Sequence, residues 1–181
     1  SVQRIDYAND TATASPKGPL TQAKWGLAGM SPKDGGLPKT EIGTVIYPKG
    51  TYATPNTGYF AGGDVPGVST IDRIDYSNDT ATAATKGPLS SSRRLAAGTG
   101  NGTFGYIAGG YLPSSPNTSS TVDRIDYVND TATATAKGPL SVARYYLAAT
   151  GNSDFGYFFG NVPVSSAVDR IDYSNDSVTA V

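Results

Sequence analysis

The tetrapeptide Arg-Ile-Asp-Tyr occurs four times in 181 residues, beginning at Arg4, Arg73, Arg124 and Arg170. The spacings are 69, 51 and 46 residues. Each copy leads into Asn-Asp-Thr or Asn-Asp-Ser, at Asn9, Asn78, Asn129 and Asn175. Three copies continue into Lys-Gly-Pro-Leu, at Lys17, Lys86 and Lys137. Glycine-rich apolar runs beginning at Gly58, Gly105 and Gly156 precede the next copies. Self-similarity at this period marks a duplicated supersecondary unit, which buries its apolar face by stacking on its neighbours.

The unit reads as β. With 22 glycines and 12 prolines, no window of useful length is left for a helix. Val122 to Tyr127 alternates, which places Ile125 and Tyr127 on one face and Val122, Arg124 and Asp126 on the other. Ser77-Asn78-Asp79 reads as a hairpin turn, because Asn and Asp bond their own backbone. Thr80 to Ala83 then reads as the return strand, and Lys86 to Leu89 opens a loop. Arg144 to Thr150 is the next strand, Gly151-Asn152 its turn, and Tyr157 to Phe159 the strand back. Four short strands in roughly 50 residues match the size of a propeller blade.

These residues resemble the kelch family. A kelch unit has a Gly-Gly pair ending the innermost strand, matched by Gly62-Gly63 and Gly109-Gly110. Its second strand carries a Tyr, matched by Tyr76, Tyr127 and Tyr173. Its Pro-then-Arg segment is matched by Pro88 with Arg93 and Pro139 with Arg144. The third Gly-Gly is replaced by Gly160-Asn161. The Trp usual seven residues after the Tyr is replaced by Ala14, Ala83, Ala134 and Ala180, so blade packing falls to residues such as Trp25, Tyr145 and Tyr146. The resemblance implies an all-β fold of kelch-like β-propeller blades, four-stranded antiparallel repeats that form part of a larger propeller. The Arg-Ile-Asp-Tyr-x-Asn-Asp-Thr arrays also resemble repeats of predicted virion and surface proteins of marine phages and bacteria.

One β-repeat domain spans 1–181, in units of about 1–57, 58–104, 105–155 and an incomplete 156–181. The first holds an insertion, 31–57, rich in Pro and Gly, with Thr44 to Tyr47 as an extra strand. Because the chain starts at Ser1 and both ends fall inside a repeat, the remaining blades are expected in a longer polypeptide or in other subunits. Open sheets leave unsatisfied edges that such partners would cover.

The chemistry is narrowed by what is missing. The chain has no His and no Cys, which excludes imidazole and thiolate nucleophile systems, imidazole and thiolate metal sites, and disulfides. Net charge is −1 and charged residues are 16%, so no bulk field favours nucleic acid or an acidic membrane. No apolar run is long enough for a membrane helix. The repeated Arg4, Asp6 and Tyr7, Arg73, Asp75 and Tyr76, Arg124, Asp126 and Tyr127, and Arg170, Asp172 and Tyr173 read as structural, because a catalytic residue occurs once per ring. Arg and Asp two apart on a strand face form a ladder within or between blades. Arg73, Arg124 and Arg170 are each expected within salt-bridge distance of an Asp.

Asp75, Asn78 and Asp79 gather oxygens that could attract Ca²⁺, but the plain turn is the simpler reading. The Asn-Asp-Thr triplets and Asn101-Gly-Thr103 match the glycosylation pattern, and turn chemistry accounts for them too. The non-repeated acids Asp34, Glu41, Asp64 and Asp154 fall in loops, so no cleft with two of them is expected. Catalytic residues, cofactor and metal are all read as none. The expected function is a non-catalytic structural and attachment module of a virion fibre, tail or cell-surface assembly. Its binding surfaces are the loops 31–57 and 111–120, and its partners are protein subunits or further blades. The alternatives are a lectin-like carbohydrate binder and a fragment of a propeller enzyme.

Overall fold

The computed structural model describes residues 3–4, 15–21, 28–30, 57–63, 67–162 and 166–181. Among them the chain is all-β, organised as separate antiparallel sheets. The first pairs β1 (Gln3–Arg4) with β2 (Ser15–Pro16). The second is a four-stranded meander of β3 (Ala28–Met30), β4 (Thr57–Ala61), β5 (Ile71–Asp75) and β6 (Ala84–Lys86). The third repeats it with β7 (Ala97–Gly100), β8 (Phe104–Ala108), β9 (Val122–Asp126) and β10 (Thr135–Ala136). The fourth has β11 (Tyr145–Gly151), β12 (Phe155–Val162) and β13 (Val168–Asp172). The leading strands lie together, with β7 against both β3 and β11.

One register governs all four sheets. Arg4 faces Ser15, Arg73 faces Ala84 and Arg124 faces Thr135, each eleven residues on. Arg170 and Val181 exchange backbone hydrogen bonds at 2.7 and 3.2 Å, the same offset. The motif isoleucines Ile74, Ile125 and Ile171 are each 3% exposed, in equivalent positions. Ile5, Asp6 and Tyr7, with Trp25 and the insertion up to residue 56, lie outside the described residues. The only helices among the described residues are single 3-10 turns at Tyr76–Asn78, Tyr127–Asn129 and Tyr173–Asn175.

Three local expectations need correction. Thr80 to Ala83 is turn and bend, and the return strand starts at Ala84. The 3-10 turn consumes the residues after Tyr76, because the Asp75 carboxylate accepts the Ser77 N–H and tightens the chain there. Asp123 is fully buried beside Val122, so the strand does not divide cleanly into an apolar and a charged face. Tyr145 and Tyr146 do not fill the place of the kelch Trp, since Tyr146 is 55% exposed. Packing between sheets comes instead from tyrosine stacking, Tyr59 on Tyr127 at 4.9 Å and Tyr106 on Tyr173 at 4.7 Å. Ala83, Ala134 and Ala180, in the Trp position, are buried where the connection from the preceding unit crosses.

The connection after each return strand crosses to the next sheet. Gly87 N–H donates to the Asp130 carbonyl at 2.8 Å, and Ala134 N–H donates to the Pro88 carbonyl at 2.8 Å. Gly18 with Asp79 and Gly138 with Asp176 repeat the first bond, and Ala83 with Pro19 and Ala180 with Pro139 the second. At Gly18, Gly87 and Gly138 an added Cβ would overlap the backbone carbonyl of Ala81, Ala132 and Val178. The Lys-Gly-Pro-Leu glycine is therefore required for close approach. Gly138→Ala is expected to lower stability by more than about 2 kcal/mol, since the clash is with backbone and cannot be relieved by a rotamer. A denaturant midpoint unchanged from wild type would contradict this.

Candidate functional site

The residues that recur in sequence meet at the seams between sheets. Arg124 of β9 reaches across to Asp176 at 2.8 Å, Lys137 reaches it at 3.1 Å, and the Tyr106 hydroxyl donates to it at 2.9 Å. One seam earlier, Arg73, Lys86 and Tyr59 reach Asp130 at 2.6, 3.2 and 2.9 Å. Arg4 and Lys17 reach Asp79 at 2.8 and 3.5 Å. The ladder is present, but its acid is the Asn-Asp turn residue of the following unit. Asp75, Asp126 and Asp172 of the motif instead cap their own 3-10 turns through the N–H of Ser77, Val128 and Ser174.

Arg170 corrects the expectation made for it. It lies over the Phe155 ring at 4.9 Å and has no carboxylate within salt-bridge distance among the described residues. The partner in each other seam comes from the next repeat. Arg124 shows both contacts, stacking over Phe104 at 4.3 Å while bonding Asp176.

A second ion pair was not legible in the motif. Arg93 and Asp123 meet at 2.9 Å with both side chains fully buried, and Arg144 pairs with Asp169 in the same way. Asp123 also accepts the Ser90 N–H at 2.9 Å, and Arg93 donates to the Ile107 carbonyl at 3.1 Å. In the earlier copy, Asp72 accepts the Thr21 hydroxyl at 2.8 Å. Equal spacing of Arg93 and Arg144 from Lys86 and Lys137 was the available signal.

Burial pushes the Tyr59 hydroxyl up to about 12, helped by its bond to Asp130 and by that carboxylate's charge. Burial raises Tyr106 further, with Asp176 acting in the same way. Burial alone would raise Asp176 as well. The bonds from Tyr106 and Lys137 and the charges of Arg124 and Lys137 outweigh it, so this carboxylate lies below its usual range. Hydrogen bonds from Ser77 and Ser174 hold Asp75 and Asp172 low. All these carboxylates are held as ions with their acceptor sites in use, which suits binding of Arg and Lys and not proton transfer near neutral pH.

Gly62 and Gly109 hold positive φ of 70° and 66° and pass against the backbone of Arg93 and Arg144. Gly63 N–H donates to the Arg93 carbonyl at 3.1 Å, and Gly110 N–H to that of Arg144 at 2.9 Å. These glycines seat the crossing segment and form no phosphate loop. Asn101 is likewise engaged: its Oδ1 accepts the N–H of Thr103 and Phe104, and its Nδ2 donates to the Ser153 carbonyl.

Two clefts remain. One, of about 420 Å³, is lined by Asn101, Phe104, Asp154, Phe155, Asp172 and Ser174 among others. It brings the non-repeated Asp154 beside the turn-capping Asp172, while Asp34, Glu41 and Asp64 lie outside the described residues. The other, of about 300 Å³, is lined by Gly67, Arg94, Tyr111 and Pro113. Here the Arg94 guanidinium lies 4.5 Å from the Tyr111 ring centre. Tyr111 meets Tyr145 edge-on at 5.2 Å, and Tyr145 adjoins the exposed Tyr146. Tyr146 N–H donates to the Leu95 carbonyl at 3.0 Å, which ties the cluster to the crossing segment. The loop 111–120 thus contributes Tyr111 and Pro113, with residues 113–117 exposed. Among the described residues no group of three or more acidic, His or Cys side chains could hold a metal ion, and no helix is long and apolar enough to cross a membrane.

The Asp176 carboxylate makes stability depend on acid. Asp176 is depressed on folding, so its contribution is complete above the unfolded Asp value of about 3.9 and is lost as pH falls through the folded value. Asp176→Asn is expected to be less stable than wild type at pH 6 and to approach it at pH 2–3, as read by thermal melting. A constant difference across that range would contradict the assignment. Arg124→Met is expected to cost about 1–2 kcal/mol, because Lys137 and Tyr106 still serve Asp176. Arg93→Met leaves a buried carboxylate without its cation, and about 3–5 kcal/mol is expected from denaturant titration.

No protein-family model matches this chain, and no curated protein matches it.

Proposed function

We propose that the chain is a non-catalytic structural and attachment module, made of kelch-like propeller blades and belonging to a surface assembly such as a virion fibre, a tail or a cell-surface structure. The observation that carries this reading is the use of the repeated charges. Arg73, Arg124, Lys86 and Lys137 are held in seams by Asp130 and Asp176. The repeated charges thus serve stacking, and variation is confined to loops, where binding usually resides. The propeller arrangement is supported by the four-stranded meanders and by the meeting of β3, β7 and β11, as strands nearest a common axis would meet. Closure of the ring falls to further blades, from a longer chain or from other subunits.

A second reading, a glycan binder, is favoured by Arg94 and Tyr111, which line the cleft of about 300 Å³, and by the run of rings from Tyr111 through Tyr145 to the exposed Tyr146. Aromatic faces and a guanidinium match the apolar faces and hydroxyls of sugars. A glycan array probed with the purified chain separates the two. Attachment through protein contacts is expected to leave the array blank. A specific signal that Tyr146→Ala reduces at least tenfold would move the assignment to the lectin class. Polysaccharide hydrolysis by the purified chain, abolished by Asp154→Asn, would overturn both.

A further inference from the structure

The Asn and the hydroxyl of the repeated Asn-Asp-Thr triplets are without a role in the fold. Asn78, Asn129 and Asn175 each end a 3-10 turn with the side chain exposed. The turns are capped by Asp75, Asp126 and Asp172, so the asparagine amides do not tighten them. None of the three asparagines holds a positive φ, the other reason a turn selects Asn. The carbonyls of Asn78 and Asn129 accept from Ala81 and Ala132, a backbone bond that any residue would supply. Among the described residues the three amide groups make no hydrogen bond.

The hydroxyl two residues on is equally unengaged. Thr80, Thr131 and Ser177 lie exposed in the turn, with no hydroxyl bond among the described residues. The fourth unit has Ser where the others have Thr, and its next residue is Val178 in place of Ala132, so the hydroxyl persists as its surroundings change. Between Asn and hydroxyl sits the seam acid, at φ of −75°, −72° and −74° in the three copies. Its carboxylate is drawn into the seam, and the residues on either side of it face solvent. Asn-x-Thr/Ser in a surface turn is the acceptor pattern for N-linked glycan. Two further matches differ. Asn101 binds the Ser153 carbonyl through Nδ2 and the Thr103 and Phe104 N–H through Oδ1. Asn117 donates to the Tyr111 hydroxyl at 2.5 Å, and its partner Ser119 is buried and accepts the Thr121 N–H at 3.0 Å.

We propose that Asn78, Asn129 and Asn175 carry N-linked glycans and that Asn101 and Asn117 do not. The donor is an oligosaccharide on a lipid diphosphate. The Asn Nδ2 attacks C1 of its first sugar, the C1–N bond forms, the C1–O bond to phosphate breaks, lipid diphosphate leaves and the amide gives up one proton. The glycans are bulky and solubilising and stand outside the seams, since the acceptor side chains do. The inference rests on the surface-assembly reading, because such donors are met on the way to a cell surface.

Glycopeptide mass spectrometry of the chain isolated from its source tests it. Peptides holding Asn78, Asn129 and Asn175 are expected to carry glycan, which an N-glycan amidase removes while leaving Asp. Peptides holding Asn101 and Asn117 are expected bare. Asn129→Gln and Thr131→Val are each expected to remove one glycan, and Thr131→Ser to keep it. Made without glycan, wild type and these variants are expected to melt alike, because the turn uses neither side chain. Bare asparagines at all three positions, glycan at Asn101 or Asn117 instead, or variants that melt lower would overturn the proposal. A second arm gives the folded, glycan-free chain to an oligosaccharide transferase with its lipid-linked donor. If the isolated chain is bare but this arm modifies Asn129, the acceptor is sound and the surface reading fails. If Asn129 stays bare here too, the acceptor fails and the surface reading stands.

Discussion

The Asn-Asp turn carboxylate is the group on which the stacking of units depends. Asp130 and Asp176 are largely withdrawn from water, and an ion so placed is tolerated only if cations and donors surround it. Each receives an arginine, a lysine and a tyrosine hydroxyl from the preceding unit. A shift of one unit against the next would strand the acid. The seam therefore fixes register as well as contact, which hydrophobic stacking of Tyr59 on Tyr127 alone would not do.

Two dry pairs accompany the wet ones. Arg93 with Asp123, and Arg144 with Asp169, lie near the point where the chain crosses between sheets. Two residues beyond each arginine, Leu95 and Tyr146 adopt φ near +58°, an unfavourable conformation for a residue with a side chain. Such strain persists only where surrounding bonds over-determine the backbone. Here they do: Arg93 N–H donates to the Val68 carbonyl, its own carbonyl accepts from Gly63, and Arg144 is held likewise by Ser119 and Gly110. The same strained turn projects Tyr146 outward, so the device that anchors the crossing also shapes the aromatic cluster.

Repetition made the strands, the turn at Gly151-Asn152 and the buried isoleucines legible, because periodicity reports which positions are equivalent. It could not say how equivalent positions pair across a seam. Arg124 and Asp126 lie two apart on one strand, and sequence offers no way to know that the arginine reaches Asp176 while Asp126 caps its own turn. Arg93 with Asp123 was hidden for the same reason: both were visible as repeats, but the crossing that joins them is long-range. The alanine in place of the kelch Trp was visible as a gap, and what fills it was not. Stacked tyrosines fill the seam, which needs a ring in the second strand of one sheet and another after the third strand of the next.

The low charge content acquires a physical meaning from this arrangement. Charges in the described repeats are concentrated where units meet, and the faces between seams are small and uncharged: Gly98 of β7 packs near the Gly29 carbonyl, with room for no larger side chain without displacement. Close approach of leading strands and ionic locking at the seams therefore act at different places in the same stack. The first contact limits residue size, and the second limits charge and register. Neither reaches residues 113–117 of the loop or the rim at Tyr145 and Tyr146, where side chains face solvent and one another. That separation lets the surface chemistry of the loops change while the stack stays the same.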